Sequence, residues 1–270
     1  MARSSSRLTL SLGTGVAVFG VLGGAVLYVA RRRRRGILGI TGVLEHHRIY
    51  WRERARQDGD LLYVALGDSA AQGIGASRPD RGYVGLLARR ISRRTGRRVR
   101  VVNLSVSGAT TSLLVEKQLP RLARLEPDVV TVAIGANDMA AFDPRGFERS
   151  VRAIVDALPD HAIMADLPHF YIVPAERRVR LAGPILRTIA ADRGLTVAPL
   201  YDTMRRQGLW AVLTQFKDDY FHPNDIGYRV WASAFHEAID ARCAALTRRW
   251  SAAEASARRA RRRSTPESTP

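Results

Sequence analysis

A serine hydroxyl is barely nucleophilic at neutral pH, so a chain that uses one must place a base within hydrogen-bond reach of it. This sequence offers both halves of such a pair: Ser69 in Gly67-Asp68-Ser69, and His222 in Asp219-Tyr220-Phe221-His222-Pro223. Asp219 stands three residues before the histidine, a spacing that can bring its carboxylate to the imidazole Nδ1 and leave Nε2 free to take the serine proton. Pro223 biases His222 toward an extended backbone, which suits a loop that projects the ring. Two further fragments could hold a developing oxyanion: the backbone N–H of Gly108, in Ser105-Val106-Ser107-Gly108-Ala109, and the side-chain amide of Asn137, in Gly135-Ala136-Asn137-Asp138. With the backbone N–H of Ser69 they make three donors. Any one of these fragments alone reads as an ordinary turn or helix cap. Together they supply a nucleophile, a base, its orienter and an oxyanion hole, which is what ester hydrolysis requires.

These residues are useful only if the fold brings them to one place. From Leu61 onward, short aliphatic runs alternate with amphipathic stretches: strands are expected over Leu61 to Leu66, Val99 to Leu104, Val129 to Ile134, Ala162 to Leu167 and Thr196 to Leu200. Helices are expected over Tyr83 to Thr95 and Phe147 to Leu158, and a last one runs from an N-cap at Asn224 or Asp225 to about Leu246. Trp231, Phe235, Ile239, Cys243 and Leu246 recur on it at helical spacing and are core candidates. The alternation predicts an α/β domain with a mainly parallel sheet and helices on both faces. Ser69, Gly108 and Asn137 each follow a strand by a few residues, so all three fall at carboxyl ends of strands, where ligands bind in open α/β sheets.

The four blocks, in this order, resemble the SGNH hydrolases, also called GDSL-type esterases and lipases. The letters of that name are matched by Ser69, Gly108, Asn137 and His222, over a stretch from about Leu61 to Leu246. Gly73 follows Ser69 at the expected distance, whereas Ala70 stands where the name-giving motif has leucine. The resemblance implies a flavodoxin-like three-layer α/β/α sandwich on a five-stranded sheet, no metal or organic cofactor, and hydrolysis or transfer of acyl groups from esters or thioesters. The site it implies has Ser69, Asp219 and His222 as the catalytic residues, with Ser69, Gly108 and Asn137 as the oxyanion hole. An acyltransferase, deacylase or thioesterase acting on a lipid or glycoconjugate is the alternative within that chemistry, and a non-enzymatic binder of polyanions or lipid surfaces is the reading outside it.

The flanks differ in character from the domain. The formal net charge is +18 over 270 residues, yet Arg31 to Arg35 and the arginines at 258, 259 and 261 to 263 put ten of the positive charges into two short runs. The basicity belongs mostly to the flanks, so no specific nucleic-acid surface is expected. Residues 1–7 form an amino-terminal flank, and Leu8 to Ala30 carries no charge. At about 1.5 Å per residue that run can cross a hydrocarbon core of roughly 30 Å, and is read as one transmembrane helix, a cleaved signal peptide being the alternative. Five arginines directly after the span outnumber Arg3 and Arg7 before it, which favours the cytoplasmic side for the domain, an exported domain at the cell surface being the alternative. Residues 31–60 read as a basic juxtamembrane linker that holds the domain near lipid, 61–250 as the hydrolase domain, and 251–270 as a disordered basic tail. Gly20 and Gly24 could let two helices approach closely, but oligomeric state is not readable.

Several other chemistries are excluded. One cysteine, Cys243, rules out an internal disulfide framework. There is no Gly-x-x-x-x-Gly-Lys phosphate loop and no Cys-x-x-Cys pair, and His236-Glu237 lacks a second histidine at zinc-protease spacing. Asp68 and Asp138 are expected to orient backbone amides, His46-His47 to be a surface pair in the linker, and His169 to be a residue flanking a strand, with a place at the crevice border beside Phe170 and Tyr171 as its alternative.

Overall fold

Each of the central strands buries both of its faces, which is why the sequence shows continuous apolar runs rather than alternation. Along β1 (Leu61–Gly67), Tyr63 and Ala65 point into one core while Val64 and Leu66 point into another, and all four are inaccessible to solvent. The computed structural model describes residues 42–171 and 174–264; the expected transmembrane segment 8–30 and the arginine run 31–35 lie outside the described residues. Among the described residues no helix is long and apolar enough to cross a membrane.

The described chain opens with α1 (residues 42–56), then β1, α2 (Ser69–Gln72), α3 (Tyr83–Thr95), β2 (Val99–Asn103), α4 (Thr111–Lys117) and α5 (Leu119–Leu122). It continues with β3 (Val129–Ala133), α6 (Pro144–Ala157), β4 (Ile163–Ala165), α7 (Ala175–Asp192) and β5 (Thr196–Ala198). The helices α8 (Leu200–Arg205), α9 (Ala211–Thr214), α10 (Asp225–Ala234) and α11 (His236–Ser264) complete it. The strands form one sheet in the order β2-β1-β3-β4-β5, and every pairing is parallel. Residues from α3, α10 and α11 share the core of Tyr63 and Ala65; those from α4, α6 and α7 share the core of Val64 and Leu66. The result is three layers, with the chain crossing from one side of β1 to the other between β2 and β3. That reversal opens a crevice at the carboxyl ends of β1 and β3.

The expected strands are all present, with differences at their ends. β4 and β5 stop at Ala165 and Ala198, short of Leu167 and Leu200, because Pro199 has no N–H for a ladder and Leu200 already begins α8. The expected last helix is interrupted at Phe235, and Asn224 caps its first part by accepting from the N–H groups of Ile226 and Gly227 at 2.9 and 3.1 Å. Trp231, Phe235, Ile239, Cys243 and Leu246 are all buried.

Two expectations about the flanks are corrected. The region expected to be a disordered tail from Ser251 continues α11 to Ser264: Ala, Arg and Glu are strong helix formers, and extending a docked helix avoids the cost of nucleating a new one. Residues 42–56 are not a solvated linker but a helix seated on the domain. Its face carries Trp51 and His47, which are 5% and 2% exposed, so His47 is no surface residue, although His46 is exposed. Trp51 Nε1 and His47 Nδ1 both lie 2.9 Å from the carbonyl oxygen of Gln72, one turn apart on α1. Burial holds the His47 imidazole below its ordinary pKa. Trp51→Ala should therefore cost about 3–5 kcal/mol of stability, typical of a tryptophan removed from a core. An unchanged denaturation midpoint for that variant would show that α1 is not part of the folded unit.

Candidate active site

β1 ends at Gly67 with φ +151°, where a Cβ would lie 2.4 Å from the carbonyl oxygen of Ala133, so only glycine allows this approach to β3. Buried Gln118 closes the strand end from the other side: the Gly67 N–H donates to its Oε1 at 3.0 Å, and its Nε2 donates to the Gly67 carbonyl at 2.7 Å. Asp68 then caps α2, its Oδ1 accepting from the Ala70 N–H at 2.9 Å. Ser69 becomes the first residue of that short helix, which Gly73 ends in the left-handed conformation at φ +79°.

The histidine arrives on a second loop, pressed against the first. Gly75, at φ +97°, is the reason the two can meet: a Cβ there would stand 2.4 Å from the carbonyl oxygen of Pro223 and 2.9 Å from Cβ of His222. In the turn itself Tyr220 takes a left-handed φ of +54°, uncommon for a residue with a side chain. The turn curls so that Asp219 Oδ1 accepts the N–H groups of Phe221 and His222 at 2.9 and 3.0 Å. Its other oxygen, Oδ2, lies 2.5 Å from His222 Nδ1. A carboxylate can only accept, so Nδ1 carries the proton and Nε2 is left as an acceptor. The Ser69 hydroxyl stands 2.8 Å from that Nε2. All three residues are buried. Burial raises the Asp219 carboxyl, but the hydrogen bond and charge of His222 and the two backbone N–H groups outweigh it, and the group is held below its ordinary value.

The loops after β2 and β3 bring up the remaining residues. Gly108, at φ +77°, is exposed at the tip of its loop with open space around it. That loop is held by Gln72, whose Nε2 donates to the Ser105 carbonyl at 3.0 Å and whose Oε1 accepts from the Ser107 hydroxyl at 2.8 Å. Asp138 grips the start of α4, accepting from the Thr111 N–H at 3.0 Å and its hydroxyl at 2.6 Å. Asn137 Nδ2 donates to the Ala109 carbonyl at 2.9 Å and, more weakly, to Asp68 Oδ2 at 3.3 Å. Burial, opposed by the Ala70 N–H, pushes the Asp68 carboxyl up to about 6. Asp68 and Asp138 thus both accept from backbone N–H groups.

His169 follows β4, and its contacts are with aromatic and acidic neighbours rather than with the triad residues. Its Nδ1 accepts the Tyr171 N–H at 3.1 Å, and its ring meets those of Tyr171 and Tyr201 edge-on. Glu176, buried beside it, accepts from the Phe170 N–H at 2.9 Å and the Tyr201 hydroxyl at 2.6 Å. Phe170 does reach the crevice side, its ring 6.0 Å from that of Phe221. Sequence reasoning missed Gln72, Gln118 and His47. Glutamine in a short helix or turn carries no spacing signal, and its role is visible only once the backbone atoms it bridges are known.

A family model described as GDSL-like lipase/acylhydrolase matches residues 65–230, more than half of the chain and every residue of the site. The chain belongs to that family. Among relatives of this GDSL-like protein is a GDSL-like esterase of Mycobacterium tuberculosis, 26% identical over 195 residues. That match takes in 67% of this chain and 62% of the mycobacterial protein, so the chain spans less than two thirds of that relative's length. Two solved structures share the fold. An α/β hydrolase enzyme from the metagenome of Lake Arreo, Spain, superposes with a TM-score of 0.57 at 24% identity, over 68% of this chain and 96% of its own. An acetylxylan esterase from Geobacillus stearothermophilus gives 0.52 at 21% identity, over 67% and 94%.

Proposed function

We propose that this GDSL-like protein is a serine carboxylic-ester hydrolase that works through an acyl-enzyme on Ser69. The observation that carries the reading is the relay of 2.5 Å from Asp219 to His222 and 2.8 Å from His222 to Ser69, standing in the crevice at the carboxyl ends of β1 and β3. As Ser69 attacks the ester carbonyl, its proton passes to His222 Nε2, and Asp219 stabilises the imidazolium. The backbone N–H groups of Ser69 and Gly108 and the amide of Asn137 hold the oxyanion. The imidazolium then protonates the leaving alcohol. Water, activated by the same ring, releases the acid and restores the serine. Residues 8–30 anchor the enzyme in a membrane, and the arginines at 31–35 keep the domain on its cytoplasmic side.

A fluorophosphonate tests this reading, because it phosphonylates an activated serine and leaves other serines alone. The parent chain should label and should hydrolyse short activated esters without added metal. Ser69→Ala should do neither. A Ser69→Ala protein that labels and turns over like the parent would refute the assignment.

A further inference from the structure

Among the described residues, the two most exposed large apolar side chains and a third close to them lie in the segment that leads into the catalytic loop, whereas Leu181, 63% exposed on α7, stands apart. Leu209, Trp210 and Leu213 are 67%, 71% and 61% exposed, on and just before α9. Isolated exposed leucines need no explanation, but three clustered within five residues do. Their place is set by their neighbours. Gln215, directly after α9, accepts the Asn224 N–H at 2.9 Å, and Phe216 bridges to Pro223, next to His222. Tyr171, after β4, donates its hydroxyl to the Met204 carbonyl at 2.7 Å. The segments on either side of these three residues are therefore held to the loop after β4 and to the loop of the catalytic histidine, at the carboxyl edge of the sheet. Phe221, also on that edge and partly exposed, meets the His222 ring edge-on at 5.1 Å.

The course of α1 shows where the chain before it must come from. The carboxyl end of α1 leads into the start of β1, and its Ala55 carbonyl accepts from Arg100 Nε, near the start of β2, at 2.9 Å. Its His47 and Trp51 lie against Gln72, at the far end of the sheet beside the catalytic serine's helix. α1 thus runs antiparallel to β1, and its residue 42 points toward the catalytic edge. Only seven residue steps separate Arg35 from Gly42, a reach of at most roughly 25 Å even when fully extended. That is about the height of the sheet itself, so the tether between the arginine run and the catalytic-edge end of α1 is no longer than the sheet is tall.

We propose that the carboxyl edge of the sheet, with Leu209, Trp210 and Leu213 foremost, rests on an anionic phospholipid bilayer, and that Ser69 takes esters carried by lipids in that bilayer. The occupant is argued from the chain that precedes α1. An uncharged segment of membrane-spanning length and then five arginines precede α1, whose first turn lies toward this edge, and arginines near a bilayer favour anionic headgroups by about 1 kcal/mol each. Tryptophan with flanking leucines is suited to the headgroup boundary, where one part of the ring stays wet. The proposal rests on the esterase and anchor readings above, and narrows them to a substrate presented from the membrane plane rather than from bulk water.

The test uses the full chain in nanodiscs of phosphatidylcholine and phosphatidylglycerol, which leave both faces accessible. Trp51 and Trp231 are buried, and Trp250 lies beneath Arg97 on α11, so the difference between the parent and Trp210→Phe reports Trp210. In discs with brominated acyl chains that difference signal should fall by at least half. Leu209→Asp/Leu213→Asp should turn over a disc-embedded fluorogenic acylglycerol at least tenfold more slowly, while a water-soluble acetate ester is hydrolysed within twofold of the parent rate. Unquenched Trp210 in discs that carry the protein, or equal losses on both esters, would overturn the proposal and leave the anchor and esterase readings standing. A parent that does not co-elute with discs would refute the anchor and this proposal together, and a parent inert toward the soluble ester would refute the esterase reading itself.

Discussion

Ser69→Ala and His222→Ala should each lower kcat by about four to six orders of magnitude, and the double variant should be little slower than either single one. The geometry gives the reason. The serine is 2.8 Å from the only ring nitrogen that can take its proton, and that nitrogen is an acceptor only because the other one donates to Asp219 at 2.5 Å. Removing either partner removes the same step, so the second substitution has little left to remove. Asp219→Asn should lose somewhat less, because the ring remains while its tautomer and its positive charge lose their support. That variant also keeps an oxygen able to accept the Phe221 and His222 N–H groups that shape the turn. Single-turnover and steady-state rates on a soluble ester decide the matter. Losses that multiply in the double variant would mean that Ser69 and His222 act in separate steps.

Much of this candidate site was legible because Ser69, Gly108 and Asn137 each follow the end of a strand. The aliphatic runs mark β1, β2 and β3, and the polar residues just beyond them have nowhere to go but the crevice. Asp219 and His222 were readable for another reason, since their contact is local and spacing alone can bring it about. What could not be read were contacts between segments far apart in the chain. Gln72 bridges α1 to the Gly108 loop by its backbone on one side and its side chain on the other, and Gln118 clamps Gly67 from 51 residues away. The helical state of residues 42–56 was hidden for a related reason. Its many arginines suggested a solvated linker, while the face that docks contains few residues and depends on finding the Gln72 carbonyl. Within the domain many arginines are held by carboxylates, as Arg90 and Arg94 both are by Asp240, so their number never described a continuous basic surface.

Asn137→Ala should lower kcat by about a hundred- to a thousandfold, the usual effect of deleting one oxyanion-hole donor, with little change in KM. The resting structure makes the expectation more specific. Both hydrogens of Nδ2 are engaged, one at 2.9 Å with the Ala109 carbonyl and one at 3.3 Å with Asp68 Oδ2. The longer bond is the one that can be given up to a developing oxyanion, while the shorter keeps the amide in place. Asp68 then competes with the oxyanion for that hydrogen, and its carboxyl, pushed up to about 6 by burial, is still largely ionised at neutral pH. Asp68→Asn should keep the α2 cap, because asparagine caps about as well as aspartate, and should change kcat by less than tenfold. A purely structural role for Asn137 would look different. It would lower the melting temperature and raise KM, because losing the Ala109 contact would loosen the Gly108 loop in the ground state as well. Should Asn137→Ala melt far below the parent while keeping kcat, the amide is a brace and the oxyanion is held by backbone alone. A loss confined to kcat in a normally melting protein would instead place Asn137 at the reacting oxygen, with Asp68 setting how readily the hydrogen is released.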